Sequence, residues 1–278
     1  MQVVHIGERA RAALARSGGV AAPLAAFAGS PYLAADGELV WVGARLPALH
    51  PRAVIVRDAP PRGVSLRFDS LPAHGWSPQL PTLERDARAR VADAALALRG
   101  ALPDGRKPGF PFDLARARIE ALVAAYRRDD PDAVLAASIP LLGTGAGLTP
   151  SGDDLVGAAL FGRRFLGPHN PAWESIAARL SREVAVRSHA VSAALFADLA
   201  RGESFAPLHA LTEALARGDH AAALAAARTL SDIGHSSGWD MLAGLFTGMS
   251  RNSCLAIPRA IDLGYDRRPY DDRNATLL

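Results

Sequence analysis

From Thr82 onward, apolar residues recur with the period of an amphipathic helix. Leu83, Ala87, Val91, Ala94, Ala95 and Leu98 fall on one face between Thr82 and Arg99. Asp113 to Arg127 repeats the pattern with Leu114, Ile119, Leu122 and Val123, and Asp130 to Ile139 adds a short helix with Pro131 at its favoured first position. Further helices are predicted over 150–165, 173–201, 207–217, 220–230 and 237–249. Their connections are short, so successive helices are expected to run antiparallel. The first 81 residues have a different texture. Short β-like runs at Glu38–Val42, Ala53–Val56 and Val64–Phe68 are separated by Asp36-Gly37, Leu46-Pro47, His50-Pro51 and Pro60-Pro61. A short helix over Glu8–Ala15 precedes them. The pattern predicts an α+β fold: a small N-terminal antiparallel β-rich sheet or barrel (residues 1–81) packed on a larger C-terminal α-helical domain (82–251), then a polar tail (252–278). The Pro- and Gly-rich stretch from Gly100 to Asp113, around Lys107, reads as a flexible connection.

Composition narrows the classes. With 49% hydrophobic and 21% charged residues the chain is ordinary globular protein. Its net charge is +3, and Lys107 is its single lysine. The many arginines are not clustered with aromatics, which argues against nucleic-acid binding. One cysteine, Cys254, excludes an internal disulfide framework and a cysteine-based zinc site. No apolar run has the length of a membrane span. Residues 10–28 resemble a signal peptide superficially, but Arg16, Gly18-Gly19 and Pro23 break them. A cytoplasmic protein is expected.

One stretch is hard to explain as packing. Residues 143–154 read Gly-Thr-Gly-Ala-Gly-Leu-Thr-Pro-Ser-Gly-Asp-Asp. Gly143, Gly145 and Gly147 alternate ahead of a helix start at Thr149-Pro150. Free N–H groups and the helix dipole make such a place suitable for an anion. Asp153 and Asp154, just inside the turn, would repel a bare anion. They point instead to proton transfer, a metal, or a cationic group beside the anion. A P-loop is disfavoured because the Gly-Lys-Ser/Thr ending is missing, and no βαβ unit surrounds the glycines.

The chain repeats this motif. Ser151-Gly-Asp-Asp-Leu-Val-Gly-Ala158 is matched by Ser237-Gly-Trp-Asp-Met-Leu-Ala-Gly244. Two readings follow. Ser151 with Asp154, and Ser237 with Asp240, have the spacing of a capping box. Alternatively, two similarly decorated helix N-termini face each other across one pocket. Thr149, Ser151, Ser236 and Ser237, the backbone of Gly152 and Gly238, and the carboxylates of Asp153, Asp154 and Asp240 would then converge on a small polar ligand. Asp154 and Asp240 occupy matched positions; Asp153 is matched by Trp239. His235, before the second helix, would stay neutral there and suits hydrogen bonding or metal ligation. Arg187 could bind an anion bidentately. His189 and Ser192 share a helix face, but nothing completes a serine-nucleophile triad. Any metal, held by Asp153 and Asp154, would be magnesium or manganese, given oxygen donors.

The first motif, followed by Gly234-His-Ser-Ser-Gly-Trp-Asp240, resembles the AllH family, named for a subunit of oxamate carbamoyltransferase. Arg187-Ser-His189 resembles a further landmark of that family. The resemblance extends from the β-like start to the helix near Met249. It implies a role in allantoin-related nitrogen catabolism, with two partner subunits, one of them FdrA-like. The implied reaction converts oxalurate and phosphate to oxamate and carbamoyl phosphate. A non-catalytic metabolite-binding or docking subunit, and a stand-alone metal-dependent hydrolase, are the competing readings.

Overall fold

The computed structural model describes residues 1–24, 29–102, 112–167 and 170–251. The Lys107 connection, Cys254 and the 252–278 tail lie outside the described residues. The fold is α+β: a curled N-terminal sheet, shaped as a half-barrel, and a helical C-terminal region.

The six strands are β1 (Val3–Ile6), β2 (Val20–Pro23), β3 (Tyr32–Ala35), β4 (Glu38–Gly43), β5 (Ala53–Val56) and β6 (Leu66–Arg67), in the spatial order β1-β5-β4-β3-β2-β6. Four of the pairings are antiparallel. The fifth, β4 with β5, is parallel, with Val42 opposite Val54. The sheet is therefore mixed rather than purely antiparallel, because the chain between β4 and β5 loops back over the sheet end through a 3-10 turn at Leu46–Ala48. Helix α1 (Glu8–Arg16) places Ala10, Ala13 and Leu14 against Leu33, Val40 and Val54. The alanines on the helix face let it approach the sheet closely.

Nine helices follow among the described residues: α2 (Arg85–Ala101), α3 (Phe112–Arg127), α4 (Pro131–Ser138), α5 (Ser151–Leu166), α6 (Pro171–Arg187), α7 (Ala190–Arg201), α8 (Ala206–Arg217), α9 (His220–Ser231) and α10 (Ser237–Gly248). The helix expected over 173–201 is two helices. Ser188 and His189 are extended, at φ/ψ of −132/−173° and −82/154°, and His189 becomes the N-cap of α7. Neither proline nor glycine marks the break, so periodicity runs straight through it.

Helix α5 is buried on nearly every side and forms the centre of the helical part. Its main partner is α10, and the two run parallel. A Cβ built on Gly248 would lie 1.9 Å from the Ala159 carbonyl oxygen; one on Gly162 would lie 2.6 Å from that of Leu245. Gly248 and Ala159 thus mirror Gly162 and Leu245 across the helix pair.

The correspondence extends backward along the chain. Asp130 caps α4 by accepting from Ala133 N (3.0 Å), and Asp219 caps α9 by accepting from Ala222 N (2.9 Å). Asp130 N donates to Ala125 O, and Asp219 N donates to Ala214 O. The units α3-α4-α5 and α8-α9-α10 thus share their order of helices and the caps that start α4 and α9.

The sheet is tied to this bundle at α7 and α8. Arg52, only 6% exposed, donates to both oxygens of Asp198 (2.7 and 3.1 Å) and to Glu38. His50 packs edge-on against Phe205, and His209 lies between Trp76 and Phe161. Burial, and then Arg52, lowers the His50 pKa to about 3; burial lowers that of His209 to about 4. Both rings are neutral in the fold and take up protons when unfolded. Stability is therefore expected to fall as pH drops from about 6.5 toward 4, by roughly 1.4 kcal/mol per pH unit for each histidine. Urea melts at pH 7, 6 and 5 measure the slope, and His50→Gln should make it shallower.

Candidate functional site

The N-termini of α5 and α10 meet side by side. Thr149 Oγ1 and Ser237 Oγ are 3.0 Å apart, and Ser151 Oγ and Ser236 Oγ 3.4 Å. Neither helix is closed by a capping box. The N-caps are Pro150 and Ser236, neither of which makes a side-chain cap bond, while Ser151 and Ser237 are the first helical residues. Their hydroxyls reach across to the other helix instead.

Two close approaches hold these ends in place. A Cβ on Gly152 would lie 1.9 Å from Leu141 O, and one on Gly238 would lie 1.9 Å from Leu230 O. Each helix start is pressed onto the end of the element before it. The preceding glycines all have positive φ: 73° at Gly143, 114° at Gly145 and 94° at Gly147. Gly145 also lies over the helix start, where a Cβ would come 2.7 Å from Ser151 N.

Beside these hydroxyls lie the acids. Asp154 and Asp240, each the fourth residue of its helix and in the first turn, are 5% and 1% exposed. Burial, and after it Asp240, pushes the Asp154 carboxyl well above the usual range; hydrogen bonds with Ser237 and Thr149 act in the opposite sense. Asp154 Oδ2 is enclosed and has no hydrogen-bond partner. Asp153 differs. Its Oδ1 accepts from Gly143 N (2.8 Å) and its Oδ2 from Ser192 Oγ (2.7 Å), so it fastens the glycine loop to α7. Among the described residues, no group of three or more His, Cys, Asp or Glu is placed to hold a metal ion.

Thr149, Ser151, Ser236, Ser237, Asp154 and Asp240 thus gather at one place. His235 is exposed in the turn before α10. Arg187 points to solvent and pairs with Glu183 (2.9 Å), while its backbone carbonyl lies against Gly143. Two residues at the site were not singled out from sequence. Ser192, weighed there only as a nucleophile, serves as the donor to Asp153. Tyr32, on β3, is near enough to feel Asp154: burial, with the Asp154 charge added, pushes its phenol upward. No periodicity marks Tyr32, because β3 is alanine-rich.

A cleft of about 300 Å³ lies at the opposite end of α5, lined by Arg88, Arg163, Arg164, Trp173 and Glu174 among others. Its arginines serve helix ends. Arg163 donates to the carbonyls of Tyr126 and Ser250, and Arg164 to that of Ala200.

These features define an α+β protein with buried acids and paired hydroxyls where the N-termini of α5 and α10 meet. Residues 141–249 match a family described as oxamate carbamoyltransferase subunit AllH. The match runs from the residue on which Gly152 packs to the end of α10, and so takes in both motifs; the sheet, α2, α3 and α4 lie outside it. The searches of curated proteins and of solved structures returned no match. No helix among the described residues is long and apolar enough to cross a membrane.

Proposed function

We propose that the chain is the AllH-like subunit of an oxamate carbamoyltransferase-type complex, acting with an FdrA-like partner and a further subunit. The observation that carries this reading is the coincidence of the family match with the segment that builds both helix N-termini. The reaction would be attack of phosphate on the terminal carbamoyl carbon of oxalurate, releasing oxamate and carbamoyl phosphate. That chemistry needs donors near the developing oxyanion and a group that moves protons. The hydroxyls of Thr149, Ser151, Ser236 and Ser237 supply donors, and Asp154 and Asp240 supply proton-transfer groups. Asp153 acts by positioning Gly143.

The test is carbamoyl phosphate formation by the reassembled complex. Asp154→Asn and Asp240→Asn should each lower turnover by about 100-fold or more, with circular dichroism and melting close to the parent. A subunit that only docks its partners would keep full turnover in both variants. Activity of the purified chain alone, dependent on added divalent metal, would favour a hydrolase instead.

A further inference from the structure

The cleft at the far end of α5 is built around arginines whose charge the fold does not balance. Arg88, Arg163, Arg164 and Arg251 line it with the acids Asp129 and Glu174, an excess of two positive charges. Arg164 is engaged: it holds both Glu174 oxygens (2.6 and 2.7 Å) and the Ala200 carbonyl. The Arg163–Asp129 pair is loose, at 3.4 Å, and Asp129 is 65% exposed, so water screens it. Arg88 makes one long hydrogen bond, to the Leu83 carbonyl (3.4 Å), and has no carboxylate partner among the described residues. The Nε groups of Arg88 and Arg163 are enclosed and donate to nothing. Bracing helix ends therefore accounts for Arg164 and for part of Arg163, and leaves Arg88 unexplained.

Arg163 is held in place. One terminal nitrogen donates to the carbonyls of Tyr126 (2.6 Å) and Ser250 (3.2 Å). Its guanidinium carbon lies 5.3 and 5.2 Å from the ring centroids of Tyr126 and Trp173, which stack on each other at 10°. At Arg9 and Arg52 the carboxylate partners outweigh burial and the pKa rises. At Arg163 the balance is reversed: burial first, and the Arg251 charge with it, hold the pKa below the usual arginine value in spite of Asp129. A guanidinium already fixed and short of negative charge is prepared for an anion. The end of α5 at Gly167 and the start of α6 at Asn170 both line the cleft, so their opposite dipole ends offset each other there. A volume of about 300 Å³ is the lower end of small-molecule sites and leaves room beside Trp173 for more than a bare ion. We propose that this cleft binds a small dianionic metabolite, its phosphoryl or dicarboxylate group held by Arg88, Arg163 and Arg251 and its body lying against Trp173. The site is separate from the helix N-termini at the start of α5 and does not depend on the carbamoyl-transfer reading.

Titration calorimetry on the full chain, at pH 7 and low ionic strength, tests this with phenyl phosphate, succinate and, as a monoanion, acetate. Phenyl phosphate or succinate should bind about ten-fold tighter than acetate or better, and the tighter of the two names the anionic group. Arg88→Gln should weaken that binding by about ten-fold or more. Its melting should stay close to the parent, because Arg88 makes a single long bond in the fold. Arg251 is exposed, so Arg251→Gln, expected to act in the same direction, keeps the test open if Arg88→Gln proves unstable. Tryptophan fluorescence should respond to the ligand in the parent and not in Trp173→Phe. Ser237→Ala, at the other end of α5, should bind as the parent does. Binding of neither dianion, or equal binding of acetate, overturns the proposal. So does an affinity that survives both arginine substitutions or is lost in Ser237→Ala. None of these measurements requires turnover, so their outcome stands whether or not the complex transfers carbamoyl groups.

Discussion

Gly248→Ala is expected to be among the most damaging single methyls that can be added to the helical part. Its Cβ would sit 1.9 Å from the Ala159 carbonyl oxygen and 2.7 Å from the carbon, both backbone atoms of α5. Backbone cannot rotate aside as a side chain can, so α10 must move away from α5. That also separates Gly244 from the Leu155 carbonyl, where a Cβ would meet oxygen at 2.2 Å. The expected loss is about 3 kcal/mol or more, the upper part of the range for overpacking. It should appear as a lower urea midpoint with an unchanged slope. Gly162→Ala, at 2.6 Å, should follow in the same direction with a smaller loss. Gly100→Ala on α2 meets nothing within 4 Å and should gain up to about 1 kcal/mol. Parent-like stability in Gly248→Ala would contradict direct backbone contact between the two helices.

Asp198→Ala should be comparably severe for a different reason. Arg52 and Asp198 are 6% and 2% exposed and joined by two hydrogen bonds. Asp198 also accepts from Arg201 and lies 3.5 Å from Arg9. Removing the carboxylate leaves the Arg52 guanidinium enclosed with only half-exposed Glu38 beside it. A stranded buried charge of this kind costs about 3–5 kcal/mol. Replacing both partners, as in Arg52→Met with Asp198→Leu, removes the stranded charge and should recover most of the loss. Chemical denaturation of the single and double variants distinguishes this from simple loss of packing, which the double variant would not reverse.

The helices were largely legible because their apolar stripes are long and their ends carry ordinary signals, such as Asp130-Pro131 and Asp219 at the starts of α4 and α9. The sheet was less so. β4 and β5 are rich in valine and isoleucine and announced themselves. β2 and β3 are short and contain alanines that make room for neighbours, so they carry little strand character of their own. The break at Ser188-His189 is imposed from outside, where the Arg187 carbonyl meets the glycine loop. At the site, the repeated Ser-Gly-x-Asp revealed which helix starts belong together. It did not reveal what the individual acids do. Asp153 and Asp154 are adjacent in sequence but separated in role by one helical step, which turns Asp153 toward α7 and Asp154 toward α10. Tyr32 feels the Asp154 charge from a strand distant in sequence, and only the folded chain brings the two near each other.

The parallel course of α5 and α10 has an electrical consequence. Each helix carries a partial positive charge of about half a unit at its start and a matching negative charge at its end. Laid side by side in the same sense, these reinforce rather than cancel. The chain answers with Asp153, Asp154 and Asp240 at one end and Arg163 and Arg164 toward the other. Along α5 the acids and arginines are therefore held at opposite ends of one axis. A partner or metabolite arriving from solution meets that polarity before it meets any side chain. Rising ionic strength should blunt the orientation of approach while leaving the buried contacts intact.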